Sequence, residues 1–315
     1  MRVFVTRQVL PQGIARLYEA AEVRVWEKDS IVPYDELRRE AARCDALLTT
    51  VADRVDAPLL EANRHLKCVA NYGVGYDNID VAAAARCGIP VGNTPGAVTE
   101  ATADLAFALL MTGARRLMES ADYVARGEWT GWHPQLFLGM DVYRATLGII
   151  GFGRIGQAVA RRARGFEMRI LYSGSPKPQA AELGAQHVPL ETLLAESDFV
   201  SVHTAFNPQT YHLIGAAQMA QMKPTAMLIN TARGGVVDPH ALYEALRAGT
   251  IACAALDVTE PEPIPPDSPL LTLSNCLIVP HIGSATVRTR IRMGEMATEN
   301  ILAALRGDAL PYAVT

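Results

Sequence analysis

The stretch Ala145-Thr-Leu-Gly-Ile-Ile-Gly-Phe-Gly-Arg-Ile-Gly156 decides the fold of this chain. The apolar run from Leu147 to Ile150 reads as a buried strand. It ends in Gly151-x-Gly153-x-x-Gly156, and Gln157 to Arg164 reads as a helix. In such a strand–turn–helix unit each glycine has a mechanical task. Gly151 allows the tight turn, Gly153 lets the backbone approach a pyrophosphate, and Gly156 lets helix and strand pack closely. The helix N-terminus adds free N–H groups and a partial positive charge suited to phosphates. Three glycines at this spacing are weak evidence alone and also fit an ordinary glycine-rich turn. The flanking strand and helix point to a dinucleotide site.

Outward from this turn, strand-like runs alternate with helix-like segments, the pattern of parallel α/β sheets. The first third predicts strands at Val3–Thr6, Val23–Trp26, Ala46–Thr50, Cys68–Asn71 and Pro90–Gly92, with helices at Pro33–Arg43 and Val81–Cys87. The middle predicts six more: Leu147–Gly151, Arg169–Ser173, Phe199–His203, Ala226–Asn230, Ala254–Val258 and Leu277–Val279. Two long helical stretches, Val98–Tyr123 and Arg288–Leu305, suit helices that cross between domains. The expected architecture is α/β, with two doubly wound parallel-sheet domains of Rossmann or flavodoxin-like type and a cleft between them. Residues 1–94 plus 283–315 would form a discontinuous substrate domain, and residues 95–282 the dinucleotide-binding domain. Ligands of such sheets bind beyond the carboxyl ends of the strands.

Composition agrees and excludes several classes. A chain of 315 residues, 50% hydrophobic and 20% charged, can build two cores. A net charge of −4 gives no reason to expect nucleic acid or an anionic membrane as partner. Met1-Arg-Val-Phe-Val-Thr6 lacks the long apolar stretch of a signal peptide, and no segment reaches transmembrane length. Cys44, Cys68, Cys87, Cys253 and Cys276 are odd in number and unpaired in spacing, which reads as reduced buried thiols in a cytoplasmic protein with no metal site.

Three polar residues follow strands of the middle region: Arg233 ends Leu228-Ile-Asn-Thr-Ala-Arg233, Glu262 follows Ala255-Leu-Asp-Val-Thr-Glu-Pro-Glu262, and His281 follows Leu277-Ile-Val-Pro-His281. Strand carboxyl ends would bring all three to one edge of the sheet. Arginine offers a planar fork for a carboxylate. Histidine exchanges a proton near neutral pH, and an adjacent glutamate favours its charged form and fixes its orientation. Singly, each has a plainer reading: a surface ion pair, a solvated loop charge, a histidine bonded to backbone. Placed together on one dinucleotide-binding sheet, they read as an acid–base set.

The whole chain resembles the D-isomer-specific 2-hydroxyacid dehydrogenases, and among them the glyoxylate/hydroxypyruvate reductases. The resemblance rests on Tyr72-Gly-Val-Gly-Tyr-Asp-Asn-Ile-Asp80, Thr94-Pro-Gly-Ala-Val-Thr-Glu-Ala-Thr-Ala-Asp104, the Gly151 loop, Asn230-Thr-Ala-Arg-Gly234, Leu256-Asp-Val-Thr-Glu-Pro-Glu-Pro263 and Pro280-His-Ile-Gly-Ser-Ala-Thr286. It implies that His281 donates the proton, that Glu262 rather than Glu260 is its partner, and that Arg233 binds and polarises a 2-oxo acid. Asp257 would hold the nicotinamide carboxamide. Val74 and Gly75 would cradle the substrate carboxylate, where a tight glycine turn suits an anion nest, and Val51 would line an apolar pocket. Gly151, Phe152, Gly153, Arg154, Ile155, Gly156, Thr204, Thr231, Ala232 and Gly283 are the expected cofactor contacts. The aromatic segment Glu128–Phe137 resembles the family's dimer arm, with Trp132 the candidate to reach a neighbour's substrate pocket. The alternative is that Trp129 and Trp132 only pack a homodimer interface.

Cofactor choice turns on the strand after the glycine loop. An NAD site usually carries an acid there, about 20 residues on, for the ribose hydroxyls. Here the chain reads Ile170-Leu-Tyr-Ser-Gly-Ser-Pro-Lys177, with no acid between Met168 and Ala181. Ser173, Ser175 and Lys177 suit a 2′-phosphate, so NADP(H) is expected with NAD(H) as the alternative. The expected activity is NADPH-dependent reduction of glyoxylate or hydroxypyruvate. The competing readings are another D-2-hydroxyacid dehydrogenase, of phosphoglycerate, D-lactate or sugar-acid type, and a nucleotide-sensing scaffold or corepressor on the same fold.

Overall fold

Parallel strands covered on both faces need near-continuous apolar runs, and this chain supplies them in two sets. The computed structural model describes residues 1–314. It separates into two units, one of Met1–Val98 with the segment from Ser284 onward, the other of Thr99–Gly283.

In the first unit the chain runs β1 (Arg2–Val5), α1 (Pro11–Ala20), β2 (Glu22–Val25), α2 (Tyr34–Ala41), β3 (Ala46–Thr49), α3 (Ala57–Ala62), β4 (Cys68–Asn71), α4 (Val81–Cys87) and β5 (Val91–Gly92). The second unit follows: α5 (Thr99–Ala114), α6 (Leu117–Ala125), β6 (Thr146–Ile150), α7 (Arg154–Arg164), β7 (Arg169–Ser173), β8 (Ala185–His187), α8 (Leu190–Glu196), β9 (Phe199–Val202), α9 (Ala216–Met219), β10 (Met227–Asn230), α10 (Pro239–Arg247), β11 (Cys253–Leu256) and β12 (Cys276–Ile278). The last helix, α11 (Val287–Arg306), returns to the first unit.

The sheet of the first unit has order β2-β1-β3-β4-β5 and that of the second β12-β11-β10-β9-β6-β7-β8. All their ladders are parallel. β3, β4, β9 and β10 are buried along their whole length. In the second unit Leu147, Ile149, Phe199 and Met227 pack on one face with α5 and α7 residues such as Phe107, Leu110 and Val159. Val200, Val202, Leu228 and Leu256 pack on the other with α8 and α10 residues such as Leu193 and Leu242. In the first unit α1 and α11 meet through Gly13 and Gly294. A Cβ on Gly13 would lie 2.9 Å from the Ile291 carbonyl oxygen.

The structure departs from expectation in three places. First, the second sheet has seven strands, not six. β8 carries Ala185, Gln186 and His187, half-buried or exposed, on the sheet edge; an edge strand with no apolar run leaves no periodic signal. Second, Val98–Tyr123 is two helices. The Ala114 carbonyl accepts from the Met140 amide at 2.8 Å, and Arg116 takes a left-handed φ of 50°, so the ladder breaks there. Third, neither long helix is shared: α5 falls wholly in the second unit and α11 wholly in the first. Strand and helix ends shift by one to three residues, as in Tyr34–Ala41 for the expected Pro33–Arg43 and Arg154–Arg164 for the expected Gln157–Arg164. Among the described residues no helix is long and apolar enough to cross a membrane. Burial pushes the Cys44 and Cys68 thiols up to about 12, which keeps them protonated.

Candidate active site

The glycine turn has the shape its sequence demands. Gly151 adopts φ 90°, and a Cβ there would lie 2.6 Å from the Thr204 amide nitrogen. A Cβ on Gly156 would lie 2.3 Å from the Gly151 carbonyl oxygen, so only glycine permits this packing of α7 on the turn. Gly153 differs: a Cβ there would meet nothing within 4 Å. Gly153 caps α7 without a side-chain hydrogen bond, and the first turn of that helix holds no acid. Open space against uncapped helical amides is what a pyrophosphate requires, so the residues present fit a dinucleotide. Thr204 adjoins the turn, and Phe152 stacks on Tyr172 at 4.2 Å between centroids.

β10, β11 and β12 lie side by side, and Arg233, Glu262 and His281 follow their carboxyl ends. His281 follows β12 with a left-handed φ of 51°. Its Nδ1 lies 2.5 Å from Glu262 Oε1. That pairing leaves Nε2 as the nitrogen available to a substrate. Burial pushes the Glu262 carboxyl up, but the hydrogen bond and charge of His281, the Thr259 amide and the Arg233 charge bring it below its ordinary value. Glu262 is thus an anion at neutral pH, and its Oε1 accepts the hydrogen bond of the His281 Nδ1–H.

Asp257 has a task that the sequence did not reveal. It is 2% exposed, at the end of β11. Its Oδ1 accepts from the Ile282 amide at 2.6 Å and its Oδ2 from the Gly283 amide at 2.8 Å. One buried carboxylate therefore clamps the two peptides after His281. Burial raises its carboxyl above the usual value, against the Ile282 and Gly283 amides and the His281 charge, which lower it. The Gly283 carbonyl accepts from Thr102 Oγ1 at 3.3 Å.

Arg233 is set by its neighbours. Asn230, buried at the end of β10, donates to the Arg233 carbonyl at 2.9 Å and accepts from the Ala232 amide at 3.0 Å. Gly234 packs against the chain before Glu262, where any Cβ would lie 1.9 Å from the Thr259 carbonyl oxygen. Glu260 pairs with His212 Nε2 at 2.6 Å and so stands apart from His281. Thr231 Oγ1 lies 3.4 Å from Nδ1 of His203, whose imidazole burial pushes down to about 4. His203 is therefore neutral and structural. In the sequence analysis Asn230 and Gly234 stand only as the ends of a motif with no task of their own, and His212 does not enter, because their role is contact rather than chemistry. The side chain of Asn230 at a strand end was the one available signal.

Val51, Val74 and Gly75 lie in the first unit. A Cβ on Gly73 would be 3.0 Å from Val51 Cγ1, so Val51 abuts the 73–75 turn. Val51 also lines a cavity of about 400 Å³ with residues 77–80. Asn93 donates to the Val74 carbonyl at 2.8 Å and Asn71 to the Gly75 carbonyl at 2.6 Å. With both carbonyls held, the Val74 and Gly75 amides have no hydrogen-bond partner among the described residues. Paired free amides in a glycine turn suit an anion. In the second unit Ser173 is half-buried, while Arg154, Ser175 and Lys177 are exposed. Trp132 is 86% exposed.

Comparison with known proteins gives the same reading. Residues 107–283 match the family model described as "D-isomer specific 2-hydroxyacid dehydrogenase, NAD binding domain". A glyoxylate reductase of Korarchaeum cryptofilum is 53% identical over 99% of this chain and 95% of its own length. One of Thermococcus litoralis is 49% identical over 99% and 96%. A solved Thermus thermophilus protein superimposes with a TM-score of 0.95 at 48% identity over the full length of both chains. An NADPH-dependent glyoxylate/hydroxypyruvate reductase of Sinorhizobium meliloti, solved with NADP and malonate, gives 0.89 at 33% over 100% of this chain and 96% of that one. With its parallel sheets and its dinucleotide turn, the chain belongs to the D-isomer-specific 2-hydroxyacid dehydrogenases and is an enzyme of the glyoxylate reductase type.

Proposed function

We propose that this enzyme reduces glyoxylate to glycolate and hydroxypyruvate to D-glycerate with NADPH as the preferred reductant. The observation that carries the reading is the His281–Glu262 contact of 2.5 Å on the same sheet edge as Arg233. A nicotinamide held at the glycine turn would supply the hydride that C2 of the 2-oxo acid needs. Nε2 of His281 gives a proton to the oxygen at C2, and Glu262 holds the ring in place through Nδ1. Arg233 draws charge onto that oxygen and holds the carboxylate by its fork. Within the first unit, the free amides of Val74 and Gly75 suit a carboxylate, and Val51 beside them an apolar group. Asn230 and Asp257 hold the turns that carry Arg233 and His281. Gly151, Gly153 and Gly156, with Phe152, Arg154, Ile155, Thr204, Thr231, Ala232 and Gly283, form the dinucleotide contacts.

The preference for NADPH rests on the absence of an acid at the end of β7 and on Ser173, Ser175 and Lys177 beside it. The Sinorhizobium relative is named NADPH-dependent and was solved with NADP, which supports the reading by likeness. We also assign a homodimer. Trp129, Trp132 and Leu138 of the arm are 59%, 86% and 67% exposed, and Leu117, Met118 and Val124 of α6 are exposed as well. So many large apolar groups in one region mark an interface. The test is turnover with a panel of 2-oxo acids, each with NADPH and NADH. Glyoxylate or hydroxypyruvate with NADPH should give the highest kcat/KM. No turnover of either acid with either cofactor refutes the substrate reading, and a higher kcat/KM with NADH refutes the cofactor reading.

A further inference from the structure

β8 brings one side chain to the turn that follows β7. In the parallel register of the two strands, His187 lies opposite Tyr172. The two rings sit 5.0 Å apart, and Tyr172 stacks in turn on Phe152 of the glycine turn. Nε2 of His187 lies 2.8 Å from the Gly174 carbonyl oxygen and donates to it. The carbonyl of Ser173 accepts from the Gly151 amide at 3.0 Å, and the Tyr172 hydroxyl accepts from the Lys177 amide at 3.3 Å. The turn from Ser173 to Lys177 is thus fastened at three points, and His187 is the only side chain of β8 among them. Gly174 has φ 123°, a conformation open to glycine alone, and the imidazole holds the carbonyl that this conformation presents. Ser175 and Lys177 are exposed and make no other hydrogen bond from their side chains among the described residues.

We propose that His187 is a positioning residue for cofactor choice: its Nε2–H on the Gly174 carbonyl sets the shape in which the 173–177 turn receives the 2′-phosphate of NADP(H). The proposal rests on the NADP(H) reading above. A single hydrogen bond of this kind is worth little overall, but it acts on the segment whose side chains meet the phosphate. A ribose with a free 2′-hydroxyl asks less of the same turn. Loss of His187 therefore weakens NADP(H) selectively, by about two- to tenfold.

The experiment is titration calorimetry of the intact protein with NADP⁺ and with NAD⁺, for wild type, His187→Leu, His187→Ala and His187→Gln. His187→Leu and His187→Ala should each lose about two- to tenfold in NADP⁺ affinity and less than about twofold in NAD⁺ affinity. His187→Gln, which keeps an N–H donor, should recover at least part of the loss. In steady-state kinetics the change should fall on KM for NADPH rather than on kcat. Two variants without a donor guard against a folding defect in one of them. If wild type prefers NADP⁺ and neither Leu nor Ala changes the ratio of affinities, or if both lower the two affinities equally, the positioning role is overturned and the cofactor reading stands. If wild type prefers NAD⁺, the cofactor reading falls and this proposal with it.

Discussion

Asp257→Asn tests whether His281, the proposed proton donor, is held by its backbone. The asparagine keeps one acceptor oxygen, so one of the two amides, of Ile282 or Gly283, must face an NH₂ group. In the native turn those amides reach the carboxylate at 2.6 and 2.8 Å, inside a residue only 2% exposed. Each bond to the charged group is worth about 1.5–3 kcal/mol, and an unpaired buried donor costs about 1–3 kcal/mol. Against this, the left-handed φ of 51° at His281 costs about 1–2 kcal/mol. The double clamp exceeds that strain; a single neutral bond beside an unpaired amide does not. The variant turn should therefore relax away from the left-handed conformation and carry the imidazole off Glu262. A displacement near 1 Å at a reacting group can cost about 10²-fold. We expect kcat to fall at least about tenfold, with the dissociation constant of the cofactor, read by calorimetry, changed much less. If kcat holds and cofactor affinity collapses instead, Asp257 acts by gripping the nicotinamide carboxamide and the clamp argument is wrong.

His281→Ala should lower kcat by about 10²–10⁴-fold, the usual worth of a general acid, while cofactor binding persists; a loss under about tenfold would show another donor. Glu262→Gln should lower kcat at least about tenfold, since the anion that fixes the imidazole through Nδ1 at 2.5 Å is gone; an unchanged kcat would reject the pairing. It also carries a stability test. The native carboxyl lies below its ordinary value, so its stabilisation is complete above an unfolded value of about 4.3 and is lost as pH falls through the native one. The Tm gap between wild type and Glu262→Gln should therefore narrow on acidification, and a gap that widens would reject the pairing. Ser173→Asp should shift the ratio of kcat/KM values towards NADH by adding a ribose acceptor and a repulsive charge together; an unchanged ratio would remove this turn from cofactor choice. Light scattering should give twice the 34.0 kDa chain mass, and a fully active monomer would exclude Trp132 from any neighbour's pocket.

What the sequence disclosed and what it withheld divide along a physical line. The strands β3, β4, β9 and β10 are buried on both faces, so their hydrophobic runs had to appear in the sequence. The glycine turn was legible because backbone crowding at Gly151 and Gly156 admits no other residue. Arg233, Glu262 and His281 were legible because chemistry limits them to a few residue types at strand ends. The unread parts depend on contacts made after folding. Asp257 is an acid one residue past β11, and nothing in its type distinguishes a clamp on backbone amides from a grip on a cofactor. β8 has no apolar pattern because it is an edge, and His187 reaches the Gly174 carbonyl only through the register of β7 against β8. The break between α5 and α6 depends on an amide at Met140, far along the chain, claiming the Ala114 carbonyl. In each case the deciding group is a backbone N–H or C=O, which every residue possesses and which no residue type announces. The candidate catalytic side chains of this enzyme can be named from its sequence, whereas the hydrogen bonds that give them their positions need the coordinates.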